Sequence, residues 1–582
     1  MKLSLLIRAF SLFLAIAYSV VAATPHETLV ALIESNWQHR MRTSPEWATA
    51  IGDNRYNDRL SDISPAAIAR ELEYEQKLLA SLQQIDSSKL SPGDQLNQSL
   101  LIRSLKTDIA GARFKDWEMP ATQMGGPQDY ASLPTSTPFK TVQDYRNYLG
   151  RLQKLPAVLS QSIANMRQGM RDGLMPPRYL LTKVAEEASD VASKPLEQNP
   201  FTEPLRTFPA TVPAASRPRL IKDVNDTVSS QVLPAFAAFA KFVKEDYEPK
   251  GRTEFGIWSL PDGAARYRQA IEEQTTTTSD PDDLHALGFK QVAEIEKQML
   301  VIAKQQGFKD VKSFNAHIFA DKHLHGTSGQ QIFDLYQGYT NQMYAKLPQY
   351  FGRLPKNKLI VVPMEAYRAP HEVPADYSIG AGDGSRPGRI NVNEYEPTKR
   401  LLLNVEAIAY HEGIPGHHLQ FSIAQELTGL PPFRKFTSYN AFSEGWALYA
   451  ETLAHEMGFY QDPYSEYGRL QNLMWRSIRL VVDTGVHYKH WSRGQMIDFF
   501  HAHSAMDDQN IETEVDRYIA WPAQALGYKL GEMTILRLRE RARQQLGAKF
   551  DIRAFHDAVL DKGPLPLDVL ESSVDQWIAS RK

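Results

Sequence analysis

Residues Tyr410-His411-Glu412-Gly413-Ile414-Pro415-Gly416-His417-His418 bring imidazoles and a carboxylate into one short stretch. Adjacent His and Glu followed by another His is how many zinc peptidases begin their metal site. Two imidazoles bind the ion, and the glutamate beside the first acts as general base on the zinc-activated water. In the usual form the histidines are four residues apart on one helical face. Here His417 follows His411 by six residues, about 240° around a regular helix. His418 follows by seven, nearly on the same face but about 10 Å further along. A regular helix therefore suits neither. Pro415 has no N–H to offer the carbonyl of His411, and Gly416 loosens the backbone further. The sequence predicts a bulged helix that returns His417 to the second-ligand position. His418 is the alternative ligand, or otherwise an outer support.

Zinc then needs a third protein ligand and one open position. Ala441-Phe442-Ser443-Glu444-Gly445-Trp446-Ala447-Leu448-Tyr449-Ala450-Glu451 reads as an apolar helix whose carboxylates, seven apart, share a face. Glu444 is the expected third ligand. Glu451, two turns on, is the expected partner of a ligand histidine's second nitrogen. Any one of these residues alone would read as a solvated charge or a core histidine; the combination does not. His455-Glu456 starts a similar box, but Phe459 stands where the second histidine belongs. His317, His323 and His325 cluster with no carboxylate placed by a readable motif, and read as a solvated loop.

The elements that must position these groups are mostly helices. Apolar residues recur at helical spacing over 26–110, 142–175, 219–350 and 401–580. Residues 195–218 are proline-rich and read as a long loop or linker. Lys358–Pro363 and Arg389–Asn393 read as short β runs, with a glycine-rich turn between them. That turn lacks the Gly-Lys-Ser/Thr ending of a phosphate loop. The expectation is a mainly α protein with a small β element. Residues 23–582 form one large unit, divisible into helical halves 23–218 and 219–582.

Composition narrows the function. The chain has 582 residues, a formal charge of −3, no cysteine and 16 histidines. The charge argues against a nucleic-acid binder. The missing cysteines exclude disulfides, thiolate zinc sites and thiol nucleophiles, leaving imidazole and carboxylate for a metal. Lys2 and Arg8 precede an apolar run to Ala23 that ends in small residues, the layout of a secretory signal over residues 1–22. With no cysteine at the cleavage site, the expected product is a periplasmic or secreted protein without a membrane span.

The boxes His411–His418 and Glu444–Glu451 resemble the hallmarks of the bacterial domain-of-unknown-function 885 family, and the resemblance covers nearly the whole mature chain. That family looks like a distant branch of the helical gluzincin metallopeptidases, among them angiotensin-converting enzyme, thimet-type oligopeptidases and carboxypeptidase Taq. The resemblance implies a deep cleft between helical halves, a His-Glu helix and a ligand glutamate on the next helix. Dipeptidyl peptidase III offers a precedent for one extra residue between the histidines; this box has two.

Relatives of that kind stabilise the oxyanion with a Tyr or His from a later helix. Tyr518, Tyr528, His487 and Tyr488 are the candidates here. Arg479 and Lys529 are candidates for a substrate carboxylate. The strand near 389–393 is expected to expose an edge to an extended peptide, with Asn391 and Asn393 facing the cleft. The expected function is zinc-dependent hydrolysis of short peptides, of carboxypeptidase or oligopeptidase type. The alternatives are a peptide-binding protein that has lost catalysis and a zinc hydrolase of a non-peptide amide or ester.

Overall fold

A computed structural model describes residues 23–364, 369, 373–382, 384 and 386–582. The expected secretory signal lies outside the described residues. Helices dominate the chain, and the strands among the described residues form one small sheet. Among the described residues, no helix is long and apolar enough to cross a membrane. The proline-rich stretch after 195 contains two short 3₁₀ turns, Pro200–Leu205 and Ala214–Ser216. One hydrophobic cluster draws on both sides of residue 218, from Leu152 and Val184 to Phe236 and Tyr247.

The helix Pro463–His487 runs through the centre. Asp462 caps its first turn by accepting from the Tyr464 N–H, and Pro463 opens it. Nearly all its residues are buried, as expected of a helix packed on every side. Its buried polar residues Asn472, Arg476, Arg479 and Asp483 fall at helical spacing on one face. Gly468 lets it lie against the segment leading to His411: a Cβ there would sit 1.8 Å from the Leu403 carbonyl oxygen.

The helices Asn440–Glu456 and Leu526–Leu546 cross at Gly445 and Gly531. A Cβ on Gly531 would meet the Ala441 carbonyl oxygen at 1.8 Å, and one on Gly445 would meet the Gly531 Cα at 2.4 Å. Backbone rests on backbone, so even alanine forces the helices apart. Gly531→Ala is expected to cost about 1–3 kcal/mol, the usual range for overpacking. Urea denaturation checks this, and an unchanged midpoint would mean that the crossing can widen freely.

The sheet supports the site from the other side. Strands β1 (Leu359–Pro363), β2 (Ala375–Ser378) and β3 (Gly388–Val392) lie in the order β1-β3-β2. β3 pairs parallel with β1 and antiparallel with β2. Ile390 and Val392 point into a cluster with Val405, Ile408 and Ala409 of the helix that carries His411. β3 is therefore the central strand, not the expected exposed edge. Asn391 and Asn393 are buried structural residues. The Asn391 side-chain amide donates to Asp376 and Ser378, and that of Asn393 donates to the carbonyls of Ala369 and Val373. Both amides tie the sheet and its loops together.

Candidate metal centre

The His411 helix, Val405–Glu412, ends at Glu412, and a second helix, His417–Glu426, begins at His417. The expected bulge is thus a complete break over residues 413–416. The Gly416 N–H reaches back to the Tyr410 carbonyl at 3.0 Å, and the His418 N–H to that of Gly413 at 2.9 Å. A Cβ on Gly416 would lie 2.0 Å from the His411 carbonyl oxygen, so only glycine lets the chain fold back this closely. Trp446 Nε1 donates to the Pro415 carbonyl at 2.8 Å, pinning the break to the helix that bears Glu444.

The break brings three groups together. Glu444 Oε2 lies 3.5 Å from His411 Nε2 and 3.3 Å from His417 Nε2. The ligand atoms of all three residues lie within 4.8 Å of one another. Tetrahedral zinc with bonds near 2.0–2.1 Å separates its ligand atoms by about 3.3 Å. Glu444 Oε2 is buried without a hydrogen-bond partner among the described residues, an acceptor that a cation would satisfy. Two imidazoles and a carboxylate are also the donor set zinc favours, so the residues fit a zinc ion.

The electrostatics agree. Burial opposes a charge on His411, but the carboxylates of Glu444 and Glu451 on either side of the ring outweigh it and push the imidazole up to about 10. Burial would raise the Glu444 carboxyl, but His417 and His411 outweigh that and hold it well below the usual range. Both shifts describe a protonated imidazole paired with ionised carboxylates, a charge arrangement in which a cation could take the proton's place.

Glu451 supports His411. Its Oε1 accepts from His411 Nδ1 at 2.8 Å, which leaves the Nε2 lone pair free to hold a metal ion. Its Oε2 accepts from the Asn472 amide at 3.3 Å, and Arg476 Nη2 lies 3.8 Å from Oε1. Glu451→Gln keeps the shape but removes the charge. It is expected to weaken zinc binding by about 10–100-fold, as losses of such supports do. Competition with a chromophoric chelator measures this; unchanged affinity would deny Glu451 the role.

Glu412 follows His411 and is partly exposed. Burial pushes its carboxyl up, while His411 and His417 pull it down less strongly. Tyr528 stacks on the His411 ring, centroids 6.3 Å apart and planes 15° apart, and its hydroxyl accepts from Arg517 Nη2 at 3.1 Å. Tyr336, whose buried hydroxyl has no partner among the described residues, is pushed up by burial and by Glu412.

Other candidates are occupied elsewhere. His418 accepts from the Tyr377 hydroxyl and donates to the Asn357 carbonyl, fastening its helix to β2 rather than to the ligand cluster. The Tyr518 hydroxyl donates to Glu514 and accepts from Arg479 and Trp475, so it has no free proton for an oxyanion. Arg479 is bound to Glu514 at 3.0 Å, and Lys529 to Glu532 at 2.7 Å in a buried pair. Tyr488 reaches Asp282 at the surface.

His487 is a structural residue, not an oxyanion donor. Its Nδ1 accepts from the Ile257 N–H and its Nε2 donates to the Tyr518 carbonyl. His556 likewise donates to the Tyr350 carbonyl and accepts from the Tyr449 hydroxyl. Both arrangements require a neutral ring, and burial lowers each pKa to about 3. Their contribution to stability is complete above the unfolded value near 6.5 and is lost as pH falls toward 3. Stability is expected to drop by on the order of 2–4 kcal/mol between pH 7.5 and 5 from these two groups. Urea unfolding at the two pH values, with His556→Gln as reference, checks the sign.

Sequence reasoning missed Tyr336, Tyr377, Asn472 and Arg476. The last two had a readable signal, since with Arg479 and Asp483 they recur at helical spacing along one face of their helix. The tyrosines had none, because tertiary packing alone brings them in. A cavity of about 1670 Å³ is lined by Tyr336 and Asn472 at the edge of the site and by Trp475, Glu514, Lys183 and Glu187, while His411, Glu412, His417 and Glu444 are not among its lining residues.

Comparison with known proteins agrees with this architecture. Residues 45–574 match the family described as bacterial protein of unknown function (DUF885). The fold is similar to that of a candidate lipoprotein from Colwellia psychrerythraea, with a TM-score of 0.90 at 27% identity, covering 96% of this chain and 100% of that one. A candidate lipoprotein of unknown function from Shewanella oneidensis superposes with a TM-score of 0.72 at 18% identity, covering 95% and 99%. Among curated proteins, none matches this chain.

Proposed function

We propose that this chain, which belongs to the DUF885 family of bacterial proteins, is an exported zinc metallopeptidase that hydrolyses short peptides. The observation that carries the reading is the convergence of His411 Nε2, His417 Nε2 and Glu444 Oε2, with Glu412, next in the chain to His411, feeling the charges of all three residues. Zinc held there would supply Lewis acidity toward the scissile carbonyl and toward water. Glu412 takes the proton of the attacking water and passes it to the leaving amine. Its raised pKa suits a base that must also give the proton back. The Tyr528 hydroxyl, oriented by Arg517, is the donor best disposed to steady the oxyanion. Glu451 keeps the His411 ring in the ligating tautomer.

The ordering of the residues supports a place among helical gluzincins: a His-Glu helix, then a helix bearing the third ligand. The cavity volume suits a peptide rather than a folded protein. A periplasmic or secreted location is supported by the candidate lipoproteins of similar fold. The test is hydrolysis of a broad peptide library by the zinc-loaded protein. Chelator-sensitive cleavage is expected, and none across the library would overturn the reading.

A further inference from the structure

Tyr336 stands where the large cavity meets the metal centre. It belongs to the helix Gly329–Tyr344, on which Ile332 and Tyr336, one turn apart, pack in one cluster with Val405, Ile408 and Ala409 of the His411 helix. The same two residues line the cavity, as do Asn404, Val405 and Asn472. Apolar packing thus fixes the Tyr336 ring between the core and the cavity wall.

That packing leaves the hydroxyl unexplained. Tyr336 is 1% exposed, and its hydroxyl is buried without a hydrogen-bond partner among the described residues. Other tyrosines around the site are paired: Tyr410 donates to Glu406, and Tyr377 bonds His418. A buried donor left unpaired is costly, and a group that enters beside it would relieve the cost. Burial and the charge of Glu412 keep the hydroxyl protonated, with Arg400 opposing them more weakly, so it is a donor. A second anion beside the Glu412 carboxylate would be repelled, which makes a neutral carbonyl oxygen the fitting acceptor. Thr340, one turn further along the same helix, also has a buried hydroxyl without a partner among the described residues, but it does not line the cavity.

We propose that Tyr336 is a substrate-binding residue, its hydroxyl donating to a main-chain carbonyl of the peptide where the peptide passes from the cavity to the metal centre. The inference rests on the peptidase reading and adds to it a contact from a helix that precedes the His411 box. The role differs from that of Tyr528. The contact with a neutral carbonyl is made on binding and kept through the reaction, so it lowers KM and leaves kcat alone.

The experiment compares zinc-loaded Tyr336→Phe with the native protein, and uses Thr340→Val as control. In Tyr336→Phe, KM for a cleaved peptide is expected to rise about three- to tenfold, the usual weight of one hydrogen bond, with kcat near native. Calorimetry on zinc-loaded Glu412→Gln should show the same loss of peptide affinity when Tyr336→Phe is added. Thr340→Val should change neither. The urea midpoint of Tyr336→Phe should not fall, because an unpaired buried group is removed. Single thioamide replacements in the peptide identify the acceptor. One of them should weaken binding to Glu412→Gln, and that penalty should vanish once Tyr336→Phe is present. Native KM and affinity in Tyr336→Phe would overturn the contact and leave the peptidase reading intact. A fall in kcat with KM and affinity unchanged would also overturn it, placing the hydroxyl's action on Glu412 instead of the substrate. Absence of cleavage and binding in the native protein would overturn both readings. Should Tyr336→Phe fail to fold, the thioamide series on Glu412→Gln still decides, since a series with no sensitive carbonyl rules the contact out.

Discussion

Glu412→Gln is expected to bind zinc like the native protein and to hydrolyse peptides about a thousandfold more slowly, within the range for loss of a general base. The amide matches the carboxylate in shape but cannot accept the water's proton. Glu412 is not among the three converging ligand groups, so zinc content should stay at the native level. The measurement is kcat on a cleaved peptide beside zinc per chain. Native turnover in the variant would assign the base elsewhere, with Glu444 and Asp376, whose charges act on Glu412, the groups to test. Zinc loss would mean that Glu412 is itself a ligand.

The second large effect concerns the metal. Glu444→Ala removes the carboxylate that both imidazoles face. Two-histidine sites hold zinc poorly, and peptide cleavage should disappear with the ion. Stability offers a readout independent of activity. A ligand that binds only the folded chain stabilises it by roughly 4 kcal/mol at a thousandfold excess over Kd. The native protein should therefore melt higher with zinc and lower with chelator, while Glu444→Ala should respond to neither. A native protein whose unfolding ignores both zinc and chelator would argue against the site.

Much of this was legible in the sequence, for identifiable reasons. Helices announced themselves through apolar spacing, and the Leu359–Pro363 and Gly388–Val392 strands through their β-branched runs. His411, His417, Glu444 and Glu451 were legible because each stands beside residues that restrict what it can do: a Pro-Gly break, or an apolar helix that leaves a carboxylate no solvent. The rest depended on partners distant in the chain. Whether β3 is an edge or a centre is decided by Ala375–Ser378, a strand too short and polar to read in advance. Tyr518 and Tyr528 look alike in sequence. They differ because Glu514, Arg479 and Trp475 surround one hydroxyl while the other ring rests on His411. Arg479 looked available for a substrate, yet most of its fork is spent on Glu514 and Tyr518.

The interruption between Glu412 and His417 bears on how such proteins are found in genomes. A text pattern that demands two histidines four letters apart passes over this chain, because loop length rather than helical pitch sets the separation here. Insertions within that loop would shift the lettering again while leaving the ligand atoms together. A spatial template would be indifferent to such changes: two Nε2 atoms and a carboxylate oxygen a little over 3 Å apart, with a glutamate following the first histidine. Scanning uncharacterised bacterial folds with that template would sort chains by the groups they assemble rather than by the order in which they spell them.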